Sequence, residues 1–295
     1  MKCTSQRLSS SAASAEGSDL SISPVNHRVE ERDSRHSTRE AGFPWAKPVS
    51  LIRGLLILLG FAAWYSGSAL LCWIGLPAYF LLQRDRDKRR VTCRGLVHRC
   101  MRVFHAYLNS FRLLRFNINC FPGPLPEGPC VIIANHPTLI DVTALLSLYP
   151  GLCCVAKSEL FRNPLVGRVV RTCDYISSQR GGPMSGASVV LSGLDRLRRG
   201  EKVMIFPEGT RSPLQGLHPF QRGAFEMAVR ADVPVVCFWI RCTPRTLHPD
   251  LPLLSSRWGA STYTVDQLPV AEPSSWCGDA KAMARDVQAQ YDALP

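Results

Sequence analysis

Charge is missing where most globular chains carry it: no Asp, Glu, Lys, Arg or His occurs between Gly54 and Leu82. An apolar run longer than about 18 residues reads as a membrane segment and excludes a solvated surface helix. The chain has no Cys-x-x-Cys pair, although it holds 12 cysteines. Cys153 and Cys154 are adjacent, and Cys237 and Cys242 lie in or beside an apolar run. That spacing argues against a structural zinc site and a disulfide framework; the cysteines read as small buried hydrophobes in a reducing compartment. No nucleic-acid recognition motif accompanies the net charge of +12, so nucleic acid is not an expected partner. A basic stretch followed at once by a short apolar core and a cleavage site is also missing, so a signal peptide is not expected. No internal repeat is visible.

What is present divides the chain into four parts. Residues 1–49 are Ser-rich and polar, with too little apolar surface to fold alone, and read as a disordered tail. Residues 50–83 hold the uncharged segment. Its 29 residues would reach about 43 Å as one helix, more than the ~30 Å hydrocarbon layer. The segment therefore tilts, extends into the headgroups, or breaks at Ser66-Gly67-Ser68 or Gly75/Pro77. A single span and a hairpin in one leaflet both fit. Residues 84–118 open with QRDRDKRR just before and within them, followed by Arg94, Arg99 and Arg102. This basic collar and amphipathic helix (about 92–115) suit anionic headgroups and place the remainder on the cytoplasmic face, the bacterial inner membrane if the source is bacterial.

Residues 119–295 alternate short β-rich runs with helix-period stretches. The runs are 130–134, 152–156, 174–177, 202–206, 233–240 and 261–265. Helical stretches fall at about 139–148, 159–171, 184–199 and 219–231, with a last helix over 278–294. This order predicts an α/β fold: a largely parallel central sheet flanked by helices, preceded by the membrane segment.

Ligands in such folds sit at the carboxyl ends of strands. VIIANHPTLID (131–141) ends a strand at Ala134, turns through Asn135-His136-Pro137 and places Asp141 inside the next helix. A carboxylate on one imidazole nitrogen fixes the tautomer and leaves the other nitrogen to take a proton. A helix-capping turn with an incidental His is the alternative. No G-x-S-x-G occurs, so the pair would act as a base without a built-in nucleophile, on a hydroxyl of the substrate. KVMIFPEGTRS (202–212) ends a second strand in a polar loop. Gly209 allows close backbone approach, Arg211 carries a planar fork suited to phosphate, and Glu208 could orient it or accept from a hydroxyl.

Together, NHPTLID and FPEGTRS resemble the glycerolipid acyltransferase family, the lysophospholipid and 1-acylglycerol-3-phosphate acyltransferases. AKSEL (156–160), FQRGAF (220–225) and VPVV (233–236) resemble further family blocks. The resemblance implies that His136 is the general base and Asp141 its orienting partner. It implies that Glu208, Gly209, Thr210 and Arg211, with Asn135 and Arg180 beside them, hold the acceptor. The donor would be the thioester of acyl-CoA or acyl carrier protein. The acceptor would be a lysophospholipid such as 1-acylglycerol-3-phosphate, drawn from membrane lipid. Neither a metal or other cofactor nor an acyl-enzyme is expected. CDYISSQR (173–180) departs from the family's second block, lacking its Gly and delaying the Arg to Arg180, which leaves the acceptor open. The HPTLID form resembles acyltransferases of bacterial specialised-lipid pathways, of ornithine-lipid or aryl-polyene type. Two other classes compete: a metal phosphohydrolase, which needs more ligands than the remaining histidines offer, and a non-catalytic lipid-binding protein of the same fold.

Overall fold

The computed structural model describes residues 46–116, 123–178, 183–251 and 261–294. The chain divides at Val49/Ser50, and the packing given below belongs to the unit Ser50–Pro295.

Seven strands form one sheet in the order β1-β7-β6-β2-β5-β3-β4. They are β1 Arg115–Phe116, β2 Cys130–Ala134, β3 Cys153–Lys157, β4 Ile176–Ser178, β5 Lys202–Ile205, β6 Val235–Thr243 and β7 Thr262–Gln267. Every neighbouring pair is parallel except β6 with β7. The sheet is thus largely parallel, as the alternation of strand and helix runs implies.

β2 occupies the middle, and all five of its residues are buried. Its side chains alternate between two cores, as a period of two requires. Cys130, Ile132 and Ala134 join one cluster and Val131 and Ile133 the other. Burying each of the large aliphatic side chains contributes roughly 1.5–3 kcal/mol. The first cluster lies under α3 (Arg86–Ser110) and α4 (Asp141–Leu148); the second lies under α7 (Pro183–Arg198), α8 (Gly223–Ala231) and α9 (Ala280–Asp292). Both faces are covered, which explains why the strands read as uniformly apolar.

The uncharged segment is one continuous helix: α1 (Ala46–Leu70), a π turn (Leu71–Gly75) and α2 (Leu76–Leu82). It does not break at Ser66-Gly67-Ser68. The irregularity comes later, where Pro77 has no N–H for the carbonyl one turn back and Leu76 N–H bonds to Leu71 O instead. The chain reverses only after Leu82, and Asp85 caps α3 by accepting from the N–H groups of Asp87 and Lys88. α3 then runs back along α1. Tyr107 OH donates to Leu56 O at 2.6 Å, Phe61 and Phe104 rings lie 5.4 Å apart, and Tyr79 OH donates to Thr92 Oγ1 at 3.1 Å.

Three sequence expectations shift. The helix drawn over 92–115 starts at Arg86 and stops at Ser110, because Arg112 takes a left-handed conformation at φ 50°. Residues 113–116 then form a turn and the edge strand β1. The helix drawn over 159–171 is two, α5 (Ser158–Arg162) and α6 (Gly167–Thr172), because Pro164 disfavours helix at the residue before it. Arg94 is no part of a lipid-facing collar. It is buried, its Nη1 lies 2.7 Å from Glu201 and its Nε donates to Cys173 O at 2.7 Å. The cysteines behave as expected: of those described, only Cys100 and Cys277 are not buried.

Candidate active site

The carboxyl ends of β2 and β5, adjacent and parallel, carry the two loops that matter. Beyond Ala134, the Asn135 amide bonds both ways across to β6: Nδ2 donates to Ile240 O at 2.8 Å, and Oδ1 accepts from Ile240 N at 2.7 Å. This extends the ladder by one side chain and pins the turn. The His136 N–H is shared between Glu208 Oε1 and Ser212 Oγ, each at 3.1 Å. Ser212 N–H returns a bond to His136 O at 2.8 Å. The two loops are therefore stitched backbone to backbone, and the histidine and the arginine-bearing turn share one rim of the sheet.

His136 Nδ1 lies 2.7 Å from Asp141 Oδ2. With Asp141 as acceptor, Nδ1 carries the proton and Nε2 keeps its lone pair. The ring is stacked on Phe206, centroids 4.3 Å apart, and its side chain is 18% exposed, so Nε2 is within reach of a substrate. Asp141 is fully buried and accepts from three further donors. Thr138 N–H bonds to Oδ2 at 2.7 Å, Thr138 Oγ1–H bonds to Oδ1, and Tyr263 OH bonds to Oδ1 at 2.8 Å. Four donors offset the desolvation of a buried carboxylate. Burial, and then the charge of Asp141, hold the Tyr263 phenol well above its usual value. It therefore stays a donor at any working pH.

The second loop is built around Glu208, which is itself buried. Its Oε1 accepts from Ser212 Oγ at 2.6 Å as well as from His136 N–H, and its Oε2 accepts from His218 N–H at 2.8 Å. Gly209 sits at φ +68°, a left-handed conformation that calls for glycine. His248 Nε2 bonds to Ser212 O at 2.9 Å and Leu139 N–H to Leu247 O at 3.1 Å. The segment after β6 thus braces both loops. Thr210 is exposed and Arg211 half-exposed, and among the described residues Arg211 has no ion-pair partner.

The residues expected from the sequence fall into three groups. His136, Asp141, Gly209, Thr210 and Arg211 come together at the rim. Asn135 and Glu208 come there too, with polar atoms bonded to Ile240 and to His136, Ser212 and His218 respectively. They hold the site's shape, and Glu208 makes no bond to Arg211. Arg180 lies outside the described residues. The sequence reading missed Tyr263, Phe206 and the hydroxyls of Thr138 and Ser212. The last three stand inside the quoted motifs, but Tyr263 is 122 positions from Asp141, and no local signal marks it. Among the described residues, no three His, Cys, Asp or Glu side chains are placed to hold a metal.

A family model described as Acyltransferase matches residues 119–241. The bovine 1-acyl-sn-glycerol-3-phosphate acyltransferase alpha is 31% identical over 234 residues, covering 69% of this chain and 78% of the relative. The chain belongs to the glycerolipid acyltransferase family. Other members share the match over less of their length. The human 1-acyl-sn-glycerol-3-phosphate acyltransferase beta is 37% identical over 145 residues, 46% of this chain and 51% of the relative. A chloroplastic 1-acyl-sn-glycerol-3-phosphate acyltransferase from Brassica napus is 28% identical over 65% of this chain and 54% of its own. The chain thus spans about half the length of these two relatives. The crystal structure of the 1-acyl-sn-glycerophosphate acyltransferase PlsC from Thermotoga maritima superposes with a TM-score of 0.58. At 20% identity it covers 83% of this chain and 99% of its own, which shows the family fold. Tyr263 lies beyond the matched block.

Proposed function

We propose that the protein is a membrane-attached O-acyltransferase that moves a fatty acyl group from a thioester, acyl-CoA or acyl carrier protein, to the free hydroxyl of a lysophospholipid of the 1-acylglycerol-3-phosphate type. The observation that carries this reading is the 2.7 Å contact between His136 Nδ1 and Asp141, which leaves Nε2 as the open base. Nε2 takes the proton of the acceptor hydroxyl as that oxygen bonds to the thioester carbonyl carbon. The C–S bond breaks, and the departing thiolate takes the proton back from the imidazolium. Asp141 keeps the ring in one tautomer and one orientation. Arg211, without an ion-pair partner among the described residues and in the same loop as Gly209, binds the acceptor phosphate.

Attachment through one leaflet fits the packing better than a perpendicular span. α1 lies along α3, so a span would carry the exposed Arg99 and Arg102 into hydrocarbon, at about 2.5–3.5 kcal/mol each. In contrast, α1, the π turn and α2 present Leu55, Leu59, Leu70, Trp73, Leu81 and Leu82, each more than half exposed. The basic flank after Leu82 favours the cytoplasmic leaflet.

The test is acyl transfer to 1-acylglycerol-3-phosphate in membranes holding wild type or His136→Ala, with the product identified by lipid mass spectrometry. The expected loss is ~10²–10⁴-fold; equal rates would reject the assignment.

A further inference from the structure

A second basic site lies away from the His136 rim. It is a cavity of about 240 Å³ between the π turn that joins α1 to α2 and the α5–α6 connection, lined by Trp73, Arg162, Asn163, Arg168 and Arg171, with Cys72 at its floor. No carboxylate lines it, and among the described residues none of the three arginines has an ion-pair partner.

The cavity is held by its own bonds. Trp73 Nε1–H donates to Pro164 O at 3.0 Å, and the Arg168 guanidinium sits 5.4 Å from the centre of the Trp73 ring. Arg171 Nη1 donates to Phe161 O. Gly167 permits this, because a Cβ there would lie 2.6 Å from the same carbonyl. Asn163 Oδ1 accepts from Leu165 N–H at 2.8 Å and shapes the turn. The π turn provides the other wall: its extra residue per turn sets Trp73 against Pro164 while Ile74 stays 65% exposed beside it. Three guanidinium groups without acids form an anion site, and planar forks suit phosphate oxygens. The apolar rim belongs to the helix read as membrane-attached.

We propose that this cavity binds the phosphate of an anionic glycerophospholipid whose acyl chains lie along α1. The inference rests on membrane attachment through α1 and not on the acyl-transfer chemistry. A soluble phosphate ester offers the same headgroup chemistry, so the test separates the two. Full-length protein in neutral detergent is titrated with phosphatidylglycerol and, in parallel, phosphatidylcholine, and the lipid retained per protein is counted by native mass spectrometry. Wild type retains phosphatidylglycerol in preference. Arg162→Gln and Arg168→Gln each weaken that preference about fivefold, and Arg168→Lys, which keeps the charge, binds better than Arg168→Gln. Glycerol phosphate does not displace the lipid. Wild-type retention in the Arg162→Gln/Arg168→Gln double variant overturns the site. Displacement by glycerol phosphate, with the same arginine dependence, overturns the lipid as its ligand. Flotation of wild type with phosphatidylcholine vesicles is scored separately: its failure overturns the attachment through α1, whereas the titration in detergent reports on the arginines.

Discussion

Replacing Tyr263 with Phe removes one oxygen from the protein interior and leaves the ring in place, tilted against Phe116 with centroids 5.0 Å apart. What is lost is the 2.8 Å bond to Asp141 Oδ1. Asp141 keeps its bonds to His136 and to both donors of Thr138, so the carboxylate is weakened and not orphaned. A hydrogen bond to a charged group is worth about 1.5–3 kcal/mol. Part of this is recovered, since Oδ1 still accepts from Thr138. We expect Tyr263→Phe to destabilise the fold by about 1–2 kcal/mol, a fall in Tm of roughly 2–8 °C for a domain of this size. The same loosening lets the carboxylate, and with it the imidazole, leave its aim. About 1.4 kcal/mol in the transition state is a tenfold loss in kcat, with KM little changed because the phenol is buried and bonds to Asp141. The decisive assay is a double-mutant cycle with Asp141→Asn, read by acyl transfer under saturating substrates. If Tyr263 acts through Asp141, the second substitution adds little to the first, a coupling of about 1 kcal/mol or more. Full kcat in Tyr263→Phe, or losses that simply multiply, would refute the idea that Asp141 is aimed by its neighbours.

Arg211→Gln should raise KM for the phosphorylated acceptor and cut kcat/KM by about 10–100-fold, the equivalent of one charge-assisted bond, while acyl donor KM stays put; steady-state kinetics with both substrates varied checks this. Gly209→Ala places a Cβ in a left-handed backbone conformation at φ +68° and displaces the end of Gln221, so it should cost about 1–3 kcal/mol in thermal unfolding and impair the same acceptor step. His105 provides a pH test. Its Nε2 bonds to Thr143 Oγ1 at 2.9 Å, Thr143 itself donates to Ile140 O, and Nδ1 is buried without a partner against the Phe116 ring. Burial pushes the imidazole down to about 4. The folded state then binds fewer protons than the unfolded chain between the ordinary histidine value and about 4. Stability is complete above about pH 6.5 and is lost as pH falls through that window, by about 3 kcal/mol. His105→Phe should flatten the acid limb of a Tm-against-pH curve.

Much of the fold could be read from the letters because its signals are local. β2 was legible to the residue, since a run bounded by a turn and a His-Pro pair leaves little choice. The helices 184–199 and 219–231 were legible from periodicity, and the long helix from absence of charge. Where the reading failed at the end of α3, the cause was a backbone event that composition does not encode, a left-handed Arg112. His136, Asp141, Gly209 and Arg211 were visible as motif residues at two strand ends. The hydrogen bonds of their neighbours were not legible, because they run to segments distant in the chain. Asn135 bonds to the Ile240 backbone, and Glu208 to two backbone N–H groups and the Ser212 hydroxyl.

By itself the sequence determined six of the seven strands, that they run mostly parallel, and that a histidine and an arginine leave the sheet at the carboxyl ends of two strands. Those properties follow from periodicity and from the short range of turn chemistry. Only the tertiary structure decided that Tyr263 reaches Asp141 across 122 positions, that Arg94 is buried against Glu201 from 107 positions away, and that three arginines gather beside Trp73. Contacts between distant segments depend on how elements pack, and a side chain's neighbours in the chain carry no record of them.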